Sequence, residues 1–133
     1  MSDKKEIIMN QTPELLDSVQ LYFDALYYCD VEMLNKVFHE TSSLFDADEG
    51  KIFVEPIASF SADVGGRTSP ASKNQAREDE ILMVDMLSPI SATVKICLRA
   101  HENIFVDHLG FVKGPEGWKI VSKIWHLENQ VDF

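Results

Sequence analysis

The chain carries IFVDHLGFVKGPEGWKIVSKIWH at residues 104–126, a pattern that is typical of a β-hairpin. Gly-Pro-Glu-Gly at residues 114–117 predicts the turn, because glycine adopts unusual backbone dihedrals and proline fixes φ. If this loop holds four residues, Lys113 pairs with Trp118. The two strands then run back along the chain in a register that the letters alone define.

The alternation of side chains assigns two faces to this hairpin. One face is aromatic and aliphatic, and its polar members are Asp107, Ser122 and His126. The other face places Lys119 and Lys123 among apolar groups. A register slip of one residue would put both lysines inside, where an unpaired charge is costly. The sequence therefore predicts that the first face is the inner one and that the lysines point outward.

Asp107 and His126 are predicted to be diagonal neighbours on the inner face, with Ile124 opposite Asp107 and Phe105 opposite His126. Diagonal Cβ atoms lie about 7–8 Å apart or less. A carboxylate beside an imidazole can fix its tautomer and raise its basicity, so the two residues are candidate catalytic groups. The alternative is a structural polar pair at the open end of the sheet, satisfied by water.

The composition narrows the class of protein. The chain has 133 residues, 45% of them apolar, and a net charge of −10. This balance indicates one folded domain spanning residues 1–133 and argues against DNA or RNA as a partner. No apolar run approaches the roughly 20 residues of a membrane span, and residues 1–11 lack a secretory core. Cys29 and Cys97 are expected to be reduced thiols, so we predict a cytoplasmic protein without a membrane partner.

The N-terminal half predicts helices. The Thr-Pro-Glu triplet at residues 12–14 is a helix-start signal, with residues 1–10 as a lead-in or an extension of that helix. Asp30 predicts the N-cap of a second, shorter helix that ends at His39. A third helix is expected at roughly residues 57–64.

The second half predicts a sheet. After an irregular surface loop at residues 67–79, which we expect to be mobile, strands are predicted at residues 80–87 and 90–101. With Glu102 and Asn103 as a two-residue turn, Leu98 would face Asp107. Helices packed on the concave face of such a curved antiparallel sheet make an α+β cone with a pocket inside.

Two segments resemble a known superfamily. YFDALYYCDVEMLNKVFHETSSLF at residues 22–45 and FVDHLGFVKGPEGWKIVSKIWH at residues 105–126 resemble the opening and the C-terminal hairpin of nuclear transport factor 2-like proteins. Within that superfamily they look most like the putative lumazine-binding family. The family pattern has an aspartate at the position of Asp107 and a histidine at that of His126. It also has Phe-His-Pro where this chain has Phe38-His39-Glu40.

The resemblance implies a pocket for a small molecule of unassigned identity. The superfamily includes isomerases, dehydratases and cyclases, so Asp107 and His126 would serve as acid and base. The expected ligand-binding residues are Tyr22, His39, Phe105, Leu109 and Ser122. No cofactor is expected, because nucleotide-binding and other motifs are absent, and no metal, because the four histidines lack the spacing of a local metal motif.

Two other functions remain open. The pocket could bind an aromatic or polyketide-like ligand without chemistry. Alternatively, the chain could be a non-catalytic homodimeric interaction module whose working surface is the outer face of the sheet. Val106, Val121 and Trp125 are predicted to be apolar groups on that face, and such a patch often marks an interface. We therefore expect a homodimer.

Overall fold

The structure is a computed structural model that describes residues 2–132, with side chains from residue 11 onward. Its helices are α1 (Ser2–Tyr28), α2 (Val31–Val37) and α3 (Ile57–Gly65). Its strands are β1 (Phe38–Asp46), β2 (Phe53–Pro56), β3 (Asp79–Ser88), β4 (Ser91–Ala100), β5 (Asn103–Gly114) and β6 (Gly117–Gln130). One short 3-10 turn, Ala71–Lys73, interrupts the long connection between α3 and β3.

The six strands form one open sheet in the order β2-β1-β6-β5-β4-β3. Neighbouring strands are antiparallel except β1 and β6, which are parallel. Helix α1 contributes Leu15, Val19 and Tyr22 to a core whose sheet members include Val94, Ile96, Leu109 and Ile120, all of them fully buried. The predicted α+β architecture, with helices on a curved sheet, is confirmed.

The helix boundaries differ in part from those predicted. Helix α1 begins at Ser2 and continues through Pro13, so the predicted start at residues 12–14 is wrong and the extension is confirmed. Proline lacks an N–H group, so the helix loses one hydrogen bond at Pro13. Pro13 is exposed, so its ring meets solvent. Asp30 caps α2 as predicted, since its Oδ1 accepts a hydrogen bond from the Met33 N–H group at 3.0 Å.

The β5–β6 hairpin starts in the predicted register and then leaves it. Lys113 pairs with Trp118 and Phe111 with Ile120, as expected from the turn. The next pair joins Gly110 to Ser122, so Val121 is an extra residue in a β-bulge.

This bulge exchanges the two faces of β6 beyond residue 121. Lys123 now lies opposite Leu109 and Trp125 opposite Asp107, while His126 lies opposite Val106 on the outer face. One inserted residue has this effect because side chains alternate with a period of two. The predicted outward direction of Lys123 is therefore wrong.

Gly110 permits the bulge. A Cβ atom at this position would lie 2.6 Å from the Ser122 Oγ atom, closer than any real contact of that kind. The nearest backbone atom, the Ser122 carbonyl oxygen, would lie at an ordinary 3.7 Å, so glycine here makes room for the Ser122 hydroxyl rather than for the opposing main chain.

The β4–β5 pairing is displaced from the predicted register, but the side chains of both strands stay on the predicted faces of the sheet. The turn is formed by His101 and Glu102, and Ile96 rather than Leu98 lies opposite Asp107. The displacement is two residues, an even number, so the apolar side of β4 still faces inward as predicted.

Among the described helices, none is long and apolar enough to cross a membrane.

Candidate functional site

A cavity of about 270 Å³ opens between the inner face of β4–β6, helix α3 and the connection that follows it. Its apolar wall includes Phe60, Phe105 and Trp125. Its polar groups include Asp107 and Lys123, which reach it from neighbouring strands. A volume of this size lies just below the usual range of small-molecule sites, about 300–1,000 Å³, so it suits a small ligand.

Three side chains meet beside this cavity and are called the Tyr22–Asp107–Lys123 cluster. The Tyr22 hydroxyl, on α1, donates a hydrogen bond of 2.6 Å to Asp107 Oδ2. Lys123 Nζ lies 3.8 Å from the same oxygen. The side chains of Asp107 and Lys123 are 1% and 8% exposed, so this is an ion pair removed from bulk water.

The second carboxylate oxygen of Asp107 is unsatisfied. Within the described part of the chain, Oδ1 is buried and has no hydrogen-bond partner. Buried polar atoms in folded proteins are nearly always paired, and a charged one costs more to leave unpaired than a neutral one. This atom therefore marks a place where a bound donor would be stabilised.

Burial changes the protonation of the two partners of Asp107. Desolvation raises the pKa of the Tyr22 hydroxyl well above its usual value of 10.0, and the negative charge of Asp107 adds to this. Desolvation also lowers the pKa of the Lys123 amine from 10.5, although Asp107 opposes that shift. Tyr22 thus stays a neutral donor, and Lys123 loses its proton more readily than an exposed lysine does.

Aromatic rings enclose the lysine. Lys123 Nζ lies 4.6 Å from the ring centroid of Phe60 and 5.3 Å from that of Tyr22. A cation at these distances is attracted to the ring faces, which offsets part of its lost hydration.

Glu55 and Arg67 add one charge of each sign to the cavity wall. Burial raises the pKa of the Glu55 carboxyl, and a hydrogen bond with Asp63 raises it further. The Arg67 guanidinium lies 5.4 Å from the ring centroid of Phe60. The wall therefore carries no strong excess of either charge.

The connection between α3 and β3 forms part of the cavity wall through Thr68 and Pro70. The Gln75 side chain fastens it to the β4–β5 turn: Nε2 donates to the His101 carbonyl at 2.9 Å, and Oε1 accepts from the His101 N–H group at 3.0 Å. The His101 ring in turn bonds through Nε2 to the Thr68 carbonyl at 2.8 Å.

This connection, the predicted irregular loop, is also held to α1, because the Tyr27 hydroxyl donates to the Gln75 carbonyl and Arg77 forms an ion pair with Asp24. The predicted mobility of the loop stays a prediction.

The predicted pairing of Asp107 with His126 is wrong. His126 lies on the outer face, where its Nδ1 atom is 2.6 Å from Asp48 Oδ1. Asp48 also accepts a hydrogen bond of 2.9 Å from the Leu127 N–H group. The bulge at Val121 is the cause, since it turns His126 outward and brings Lys123 to Asp107 instead.

The five predicted ligand-binding residues are placed differently. Phe105 lines the cavity, and Tyr22 holds the Asp107 carboxylate beside it. Leu109 is fully buried in the core and Ser122 lies opposite Gly110 on the outer face, so neither lines the cavity. Helix α2 ends at Val37, so His39 lies in β1 rather than at the end of the helix. There it is exposed and forms a hydrogen bond with Thr41. The predicted placement of Leu109, Ser122 and His39 at the pocket is therefore wrong.

Sequence reasoning missed Lys123, although one signal pointed to it. The register without a bulge leaves Trp125 on the solvent face of the sheet. A large aromatic side chain in that position is a sign that the strand changes register, and Trp125 does line the cavity. Among residues 11–132, no three histidine, cysteine or acidic side chains converge as a metal site would require.

Comparison with known proteins places the chain in a family. A model of the family described as putative lumazine-binding matches residues 10–126. No curated protein matches the sequence significantly.

Several solved structures share the fold. An NTF2-like protein of unknown function from Shewanella baltica is 18% identical, with a TM-score of 0.78 over 89% of this chain and 94% of its own. Another, from Silicibacter pomeroyi, is 19% identical, with a TM-score of 0.75 over 90% and 98%. A domain of unknown function with a cystatin-like fold from Nostoc punctiforme is 16% identical, with a TM-score of 0.70 over 92% and 80%. The chain shares its fold with these NTF2-like proteins, and it belongs to the putative lumazine-binding family.

Proposed function

We propose that the chain binds a small organic ligand in the cavity and that the Tyr22–Asp107–Lys123 cluster meets the ligand's polar group. One observation carries the proposal: Asp107 Oδ1 is buried, beside a cavity, with no partner among the described residues. A ligand that donates a hydrogen bond to this atom would satisfy it.

The walls define the chemistry of the ligand. Phe60, Phe105 and Trp125 offer aromatic surface, which favours a flat ring system. Asp107 accepts hydrogen bonds, and Lys123 donates them to an acceptor such as a carbonyl oxygen. Lumazine, the compound in the family's name, combines these features because its fused rings carry N–H groups and carbonyls. It is the first ligand to test.

The same geometry supports acid–base chemistry at Asp107. A carboxylate with one oxygen held by Tyr22 and the other free is oriented to remove a proton from a carbon or oxygen of the ligand. We propose Asp107 as the general base of an isomerase-like, dehydratase-like or cyclase-like reaction. His126 has no part in it, because it lies on the other face of the sheet.

Ligand affinity tests the proposal. Lumazine binding can be measured by calorimetry for the parent, for Asp107→Asn and for Asp48→Asn, whose carboxylate lies outside the cavity. A hydrogen bond to a charged group is worth about 1.5–3 kcal/mol. We therefore expect Asp107→Asn to lose about tenfold or more in affinity, while Asp48→Asn binds like the parent.

Circular dichroism serves as the control for folding of both variants. If the folded Asp107→Asn variant binds an aromatic ligand as tightly as the parent, the proposal fails. It also fails if no member of a panel of fused-ring N–H and carbonyl compounds binds the parent.

A second candidate function is a homodimeric interaction module, and a different surface supports it. Trp125 lies inside and is no part of the outer patch. Val54, Phe45 and Ile124 instead form a row across β2, β1 and β6, with Val54 49% and Ile124 57% exposed. We propose that a second copy of the chain covers this row.

Light scattering tests the dimer. We expect the parent to be a dimer at micromolar concentration and Ile124→Glu to be a monomer. Leu87→Glu is the matched control, because Leu87 is 80% exposed at the end of β3, away from the row. A monomeric parent at high micromolar concentration would rule this candidate out.

A further inference from the structure

We infer that Lys123 is a nucleophilic amine that forms an imine with an aldehyde or ketone group of the ligand in the cavity. The inference rests on the proposed function, because it needs a ligand in that cavity. It goes beyond it by naming a reactive ligand class and a covalent step.

The position of Lys123 is the first argument. The bulge at Val121 turns its side chain to the inner face, where it lines the cavity between the Phe60 and Tyr22 rings. Lysines are almost never this buried unless they are paired. Lys113 and Lys119, by contrast, donate hydrogen bonds to Glu14 and to the Lys36 carbonyl on the surface.

The poor hydrogen bonding of Lys123 is the second argument. An ammonium group has three N–H donors. In the described structure Lys123 Nζ has an ion-pair partner in Asp107 Oδ2, but the two atoms are 3.8 Å apart, which is beyond hydrogen-bond distance. That oxygen already accepts from Tyr22.

A buried ammonium with unsatisfied donors is costly, and a neutral amine is less so. Desolvation accordingly lowers the pKa of Lys123. A lysine desolvated in an apolar pocket is a nucleophile for carbonyl carbon.

The step balances with the groups present. The Nζ lone pair attacks the carbonyl carbon, a C–N bond forms and the C=O π bond breaks. Asp107 takes the first proton that the nitrogen loses and gives it to the former carbonyl oxygen, which becomes a hydroxyl. Asp107 then carries the second N–H proton to that hydroxyl as the C–O bond breaks, so water departs and the C=N bond forms. Amine and carbonyl thus give imine and one water, with no redox partner. Asp107 Oδ1, buried without a partner in the described structure, is available for this transfer.

Reductive trapping tests the inference. The parent protein is incubated with 4-hydroxybenzaldehyde and sodium cyanoborohydride, and the adducts are located by peptide mapping. We expect Lys123 to be labelled at least about tenfold faster than Lys95, which lies on the outer face of β4. Excess 4-hydroxybenzyl alcohol, which has the same ring and no carbonyl, should compete for the cavity and slow the labelling of Lys123 alone.

Variants provide the matched control. Lys123→Arg keeps the charge and removes the nucleophile, so we expect it to lose the fast adduct, while Lys95→Arg keeps it. The peptide map of the parent needs no variant, so a misfolded Lys123→Arg would not remove the test. Labelling of Lys123 no faster than that of Lys95, or unaffected by the alcohol, would overturn the inference and leave Lys123 as a structural partner of Asp107.

The two proposals fail in different ways. If the alcohol or lumazine binds in calorimetry and no fast adduct forms on Lys123, the imine is excluded and the binding function stands. If no adduct forms and neither the alcohol nor any member of the panel of fused-ring N–H and carbonyl compounds binds, both are excluded.

Discussion

Strand β6 supplies the basic partner of two carboxylates that lie on opposite faces of the sheet. On the inner face Lys123 lies 3.8 Å from Asp107, and on the outer face His126 lies 2.6 Å from Asp48. The outer pair has the shorter distance and the better hydrogen bond. We nevertheless expect the inner pair to matter more for the free energy of unfolding, because both of its members are buried and water screens their charges less.

This contrast shows that burial, more than distance, decides what a charged pair does. The outer pair exchanges its bonds with water at little cost, which is typical of surface ion pairs. The inner pair cannot, so loss of either partner leaves an uncompensated charge beside the cavity.

Removal of Asp107 should have the largest effect. Breaking a buried ion pair by deleting one partner costs about 3–5 kcal/mol, since the other charge stays buried. We expect Asp107→Ala to lower the free energy of unfolding by that amount in urea denaturation, with Asp48→Ala close to the parent. The double variant Asp107→Ala/Lys123→Met should recover much of the loss. Equal losses from Asp107→Ala and Asp48→Ala would contradict the comparison.

A substitution at the bulge should have an intermediate effect. An added methyl in Gly110→Ala would collide with the Ser122 Oγ atom, and overpacking of this kind costs about 1–3 kcal/mol. Ser122→Ala removes the colliding atom, so the double variant should lie closer to the parent than Gly110→Ala does. A double-mutant cycle of unfolding free energies measures this coupling. Additive effects would mean that the two strands are not in contact there.

The inner pair should make the free energy of unfolding depend on pH in the alkaline range, because Lys123 titrates there. Its folded-state pKa is lowered, so between that value and 10.5 the unfolded chain binds more protons. Stability therefore rises with pH across this window. Measurements should end near pH 9, because the raised pKa values of the Cys29 and Cys97 thiols act in the opposite direction above their usual 9.0, and that of Tyr22 does so above 10.0. We expect the free energy of unfolding to rise with pH in the parent and not in Lys123→Met. A rise of equal size in both proteins would refute this prediction.

The smallest effect should come from the outer pair. The hydrogen bond with Asp48 raises the pKa of His126 from 6.5. The stability that this hydrogen bond contributes is therefore fully present below pH 6.5 and is lost as the pH rises through the folded-state pKa of His126. We expect the parent to show a slight fall in stability across this range and His126→Gln to show none. A fall that persists in His126→Gln would assign it to another group.

The sequence contains enough information to predict the turn and the alternation, but not the bulge. Gly-Pro-Glu-Gly specifies its own turn, and the aliphatic side of β4 keeps its face although its pairing is displaced by two residues. Trp125 signals that β6 changes register, but nothing in the sequence marks Val121 as the inserted residue. The consequence of the insertion is that Lys123 takes the place predicted for His126 beside Asp107. The partnership of Asp107 with Tyr22 was also beyond prediction, because it depends on how closely α1 approaches the sheet.

Main-chain groups take part in several of the hydrogen bonds that attach the cavity wall. Gln75 bonds to the main chain of His101, and the His101 ring bonds to the main chain of Thr68. Every residue type has the carbonyl group that Thr68 supplies, so the side chain at position 68 can change without loss of that hydrogen bond. Variation at this position among relatives, or in a designed library, can therefore alter the lining of the cavity while this attachment of the wall stays.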